Sequence, residues 1–200
     1  MPSAAIRALL TATLALVPTL ASAHTGVSEA HDALHGFVHP IGGLDHVLAM
    51  VAVGIFATQL GGRALWLLPA SFLAAMVGGG ALAMAGIKLP LVETAIALSV
   101  VALGAVIWLN VSVPVAGAVA LVAGAALFHG YAHGAEMPAA MLGIAYGLGF
   151  VAATALLHLA GIAIGLGVNH IGAVPSSKIV RGAGGAIALA GAAILVGYLL

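Results

Sequence analysis

The chain has 200 residues, 64% of them hydrophobic and only 5% charged, with a formal net charge of zero. Soluble domains carry roughly a quarter charged residues, so these charges are too few to cover a water-facing surface. There is no basic face for nucleic acid, and the lack of cysteine excludes disulfides and thiolate metal sites.

In chain order, residues 1–23 read as a secretory signal peptide. Arg7 is the positive n-region, Ala8 to Leu20 the short apolar stretch, and Ala21-Ser22-Ala23 the small-residue cleavage site. Cleavage makes His24 the first mature residue, with a free α-amine beside its imidazole as a chelating pair. Residues 24–38 are more polar, with Glu29, His31, Asp32 and His35. His31 and His35 would align on one helical turn, either as a forecourt that collects metal or as a solvated leader.

The remainder, 24–200, reads as a single all-α transmembrane bundle of about six spans, each near the ~20 residues that cross a bilayer. The expected spans are 40–60, 64–87, 91–109, 115–133, 139–165 and 182–200. Pro40 suits a helix start, and Gly61-Gly62-Arg63 and Lys88-Leu89-Pro90 suit turns. The fifth apolar run is longer than a span needs, so Gly161, Gly165 and Gly167 are expected to break or end it. An exported mature N-terminus puts Arg63, Lys178 and Arg181 on the cytoplasmic side and only Lys88 outside, in line with the positive-inside rule.

That orientation gathers the ionisable residues. His39, Asp45 and His46 open span 1, Glu93 opens span 3, and His129, His133 and Glu136 close span 4, all in the outer half of the membrane. Such groups are costly in hydrocarbon and mark ion pathways by default. Imidazole with carboxylate suits a divalent transition metal. His129 and His133 are four apart, hence on one helical face, and Glu136 extends the stripe. Gly130 and Gly134 form a small-residue pattern that lets another helix approach. Met50, four after His46, is a weak soft donor. Asp45 either ligates directly or orients His46.

Deeper in, His158 reads as an exit-side ligand, a proton acceptor or a hydrogen-bonded core histidine. His170 reads as solvated, Met76, Met84 and Met141 as packing, and Gly143/Gly147 and Gly161/Gly165 as helix-packing notches. The two histidine motifs do not match as inverted partners, so no internal repeat is read. No phosphate-binding loop is present, which excludes direct ATP coupling within the chain.

His39-Pro-x-x-Gly-x-Asp45-His46-x-x-x-Met50 and Phe128-His-Gly-x-Ala-His-Gly-x-Glu136 resemble the two signatures of the HupE/UreJ family. The signal-like start, His24, and Glu93 with Ser99 also fit. The resemblance implies a multi-pass protein of the bacterial inner membrane, with its mature N-terminus periplasmic. It implies carriage of Ni²⁺ as substrate, with Co²⁺ allowed, to supply nickel enzymes such as hydrogenase or urease. No permanent cofactor and no enzyme activity are expected. The expected partners are the lipid bilayer and the divalent ion, with a homo-oligomer allowed. From ligand chemistry alone nickel, cobalt, zinc and copper all remain open. The competing readings are an intramembrane metal-dependent hydrolase, with Glu136 or Asp45 as base, and a metal sensor or scaffold for a partner membrane complex.

Overall fold

The computed structural model describes residues 33–136, 144–170 and 176–200. The signal-peptide reading, His24 and the polar residues up to Asp32 lie outside them. The regular elements of the described residues are all helices: α1 (Ala33–Gly42), α2 (Leu44–Leu60), α3 (Ala64–Met84), α4 (Val92–Trp108), α5 (Val115–Glu136), α6 (Ile144–His170) and α7 (Ser176–Leu199). This is the all-α bundle that the apolar runs imply. In hydrocarbon every backbone N–H and C=O must be satisfied within the segment, and a helix does this unaided.

Helices α3 and α5 and the stretches Tyr146–Val168 and Lys178–Leu199 are each long and apolar enough to cross a bilayer. Helices α1 and α2 together make a fifth apolar unit, broken by an 87° bend. Helix α4, at 17 residues, is shorter, at the lower limit of what a span needs. Large apolar side chains such as Leu148, Leu156, Leu159 and Leu189 point outward and are more than half exposed, as expected where the solvent is lipid.

Several boundaries differ from the sequence reading. Pro40 does not start the first span but lies inside α1, and the break comes at Gly43. Helix α6 runs unbroken through Gly161, Gly165 and Gly167. Neighbouring helices hold it there, so the weak helix preference of glycine does not decide. Helix α3 stops at Met84, α5 continues to Glu136, and α7 begins at Ser176.

Glycines set which helices touch. A Cβ on Gly130 would sit 1.9 Å from the Met76 carbonyl oxygen, and one on Gly79 would sit 2.0 Å from that of Leu127. Helices α3 and α5 therefore meet backbone to backbone, as the Gly130/Gly134 pattern anticipates. Helices α2 and α6 do the same, with Gly54 against the His158 carbonyl and Gly161 against that of Val51. Gly165 accommodates the Thr58 side chain. Gly36 on α1 and Gly149 on α6 fix α1 across the start of α6. Gly147 meets nothing within 4 Å and is not a packing notch; Gly143 lies outside the described residues. Helix α7 lies against α4 through Gly184, Gly191 and Gly104.

The core is apolar and centred on α2, whose Ala49, Met50, Ala52, Val53, Phe56 and Ala57 are fully buried. Helices α3 to α7 surround it. At the end of the bundle away from the histidine motifs, Arg181 Nε donates to the Trp108 carbonyl at 2.8 Å. Trp66 and Trp108 are exposed there, in the manner of interfacial tryptophans.

Candidate metal centre

The bend at Gly43 builds the site. Helix α2 begins at Leu44 and carries Asp45 in its first turn, where a carboxylate opposes the positive helix end. Asp45 Oδ1 accepts from the His46 backbone N–H at 2.9 Å and lies 2.9 Å from His46 Nδ1. An ionised carboxylate can only accept, so Nδ1 of His46 carries the hydrogen and its Nε2 presents a lone pair. This is the arrangement by which carboxylates orient ligating imidazoles.

His46 Nε2 faces His133 Nε2 at 2.6 Å, and His133 Nδ1 faces His39 Nε2 at 3.0 Å. With His46 Nε2 as acceptor, His133 donates to it through Nε2–H, and His133 Nδ1 then accepts from His39 Nε2–H. Three imidazoles from α1, α2 and α5 thus form one chain that ends on a carboxylate. His46 and His133 are buried; His39 is half-buried. Tyr146 and Phe150 flank the His39 ring at centroid distances of 6.1 and 6.2 Å. Helix α1 brings His39 back over the site, which a straight first span could not do.

Glu136 completes the outer edge. One ligand atom from each of His39, His133 and Glu136 lies within 4.8 Å of the others, close enough for a small shift to let one ion reach all three. Imidazole nitrogen and carboxylate oxygen suit a borderline divalent transition ion better than Mg²⁺ or Ca²⁺.

His129 lies behind His46, ring centroids 4.7 Å apart. It is completely buried, its Nε2 is 3.0 Å from Ser99 Oγ, and its Nδ1 has no hydrogen-bond partner among the described residues. The Ser99 hydroxyl also donates to the Ile96 carbonyl at 2.7 Å. A hydroxyl has one hydrogen, so His129 Nε2 is the donor in the Ser99 contact and its Nδ1 holds a lone pair.

Of the remaining candidates, Glu93 has a buried, unpartnered Oε2 and faces the phenol of Tyr198 at the end of α7. Met50 is fully buried within the apolar core. His158 lies below the cluster, against Phe72. The structure therefore brings together His39, Asp45, His46, His129, His133 and Glu136; Glu93 lies at the same rim, beside Tyr198, whereas Met50 packs in the apolar core and His158 against Phe72. Sequence reasoning did not find Phe72, whose ring lies 6.0 Å from His129, because nothing in the spacing of a phenylalanine marks it. Tyr198 was discoverable, since alternation of the helices puts the end of α7 level with the start of α4.

The model of the family described as HupE / UreJ protein matches residues 12–194. The chain belongs to the HupE/UreJ family. A HupE/UreJ relative, Protein HupE of Rhizobium leguminosarum bv. viciae, is 48% identical over 190 residues, covering 94% of this chain and 97% of that protein. No solved structure matches. Membership of the HupE/UreJ family and the apolar helices make this a multi-pass membrane protein.

Proposed function

We propose that this protein transports a divalent transition-metal ion, nickel first and cobalt second, across the bacterial inner membrane into the cytoplasm for nickel enzymes such as hydrogenase or urease. One observation carries the proposal: His46 and His133, from separate helices, point ring nitrogens at each other at 2.6 Å. His39 and Glu136 stand beside them. The choice of nickel rests on the family, because nitrogen and oxygen donors suit several metals.

In this reading the bundle crosses the membrane six times, with α4 counted, and the histidine cluster faces the periplasm. A hydrated ion meets Glu136 and His39 first and exchanges water for His133 and His46. Asp45 holds His46 in the ligating tautomer. Binding to His46 and His133 would need the hydrogen they share to leave and the two rings to part, so binding shifts or releases protons. Inward movement needs no nucleotide: a divalent ion gains about 4.6 kcal/mol per 100 mV of inside-negative potential, and cytoplasmic trapping maintains the gradient. Binding must stay weak enough for release.

The test is uptake of radiolabelled nickel into lipid vesicles holding the purified protein, wild type beside His46→Ala and His133→Ala. Each substitution is expected to lower the initial rate by at least tenfold while the protein remains folded. Wild-type rates in both variants would defeat the site assignment, and an inactive wild type would defeat the transport reading.

A further inference from the structure

The cluster at the mouth leaves unexplained a second polar group at the centre of the bundle. His158 lies midway along α6, is 1% exposed, and has no hydrogen-bond partner at Nδ1 or Nε2 among the described residues. A core histidine kept for stability would bond at least one nitrogen to a carbonyl or hydroxyl, since leaving a buried donor and acceptor unsatisfied is costly. Its neighbours are those of a ligand site. Thr154, fully buried, lies one turn earlier on the same face of α6. The Thr154 hydroxyl contacts the Met76 sulfur at 3.9 Å. Imidazole nitrogen, hydroxyl oxygen and thioether sulfur thus come from two successive turns of α6 and from α3.

The position is connected to the mouth. The Phe72 ring centroid is 6.0 Å from His129 and 4.9 Å from His158, so one aromatic ring lies against both imidazoles. A cavity of about 160 Å³ has both His133 and Met76 in its wall. Helix α2 provides the scale: Gly54, against the His158 carbonyl, follows His46 by eight residues, about 12 Å along a helix.

We infer that His158, with Thr154 and Met76, forms a second coordination station for the transported cation, beside the Phe72 ring and filled from the mouth cluster. This rests on the transport reading and adds an inner step to it. A thioether and a single imidazole bind borderline cations weakly, which suits a station that must empty.

The experiment compares nickel binding with nickel flux in the full-length protein in lipid vesicles, for wild type, His158→Ala, His158→Gln and the volume-conserving Met76→Leu. His158→Ala is expected to bind nickel at the mouth within twofold of wild type and to carry it at least tenfold more slowly. His158→Gln fills the space and serves if the alanine variant does not fold; it is expected to show the same split. Met76→Leu is expected to lose severalfold in flux with binding unchanged. Wild-type flux in the folded His158 variants would overturn the inner station and leave the mouth intact. An inactive wild type would overturn both.

Discussion

Gly130→Ala tests the site through its support. Gly130 lies between His129 and His133 on α5, and an added Cβ would stand 1.9, 2.6 and 2.7 Å from the carbonyl oxygen, carbonyl carbon and Cα of Met76. All three are backbone atoms, so no side chain can swing aside. Ordinary contact needs ~3.5 Å, so α3 and α5 must separate by about 1.5 Å. Overpacking of this kind costs about 1–3 kcal/mol. A displacement of that size carries His133 out of reach of His46, since hydrogen bonds fail beyond ~3.5 Å, and takes His129 from Ser99. The control is Gly124→Ala on the same helix, where the new methyl meets nothing within 4 Å. It is expected to be neutral or to stabilise by up to about 1 kcal/mol. Thermal unfolding in lipid and nickel uptake are measured for both. Gly130→Ala is expected to melt lower and to lose at least tenfold in uptake. Equal melting and uptake in the two variants would refute the backbone contact and the site geometry built on it.

Three further outcomes are expected. Asp45→Asn keeps the volume but loses the anionic acceptor that fixes the His46 tautomer, so nickel affinity by equilibrium dialysis should fall about 10–100-fold; an unchanged isotherm would remove the orienting role. Protons compete with metal for imidazole, which titrates near pH 6.5 when free, so uptake at fixed membrane potential should be full above neutrality and fall as pH drops towards 5; a flat profile would exclude imidazole ligation. Tyr198→Phe removes the phenol beside Glu93 and leaves the imidazole chain untouched, so binding by dialysis should change by less than threefold; a larger loss would make Glu93 part of the centre.

Much of the mouth was legible in the sequence because it is written in helical periodicity. The spacing of His129, His133 and Glu136 alone puts them on one face, and alternation of the spans puts that face level with His46. Charge-poor surroundings made the few ionisable groups conspicuous. The bend at Gly43 was not legible. Pro40 and two glycines look like the start of a span, whereas α1 is a short helix held by tertiary packing of Gly36 and Gly149. Helix pairing was not legible either: the glycines announce close approaches without naming the partner, and α3 joins α5 rather than its sequence neighbour α4. The unbroken course of α6 through three glycines likewise reflects its neighbours, which override local preference.

The chain direction of the helices has an electrostatic consequence at the mouth. Helices α2 and α4 both begin there, and each exposes a helix start worth about half a positive elementary charge, a field that would turn a dication away. Each also carries one acid in its first turn, Asp45 and Glu93, so both repulsive poles are neutralised where they arise. Helix α5 ends at the same place, with its negative pole and Glu136, an attractive end. The rim is therefore cation-seeking by polarity of assembly, and amidating both acids together would remove two negative charges and leave only a weak pull, with every imidazole still in position.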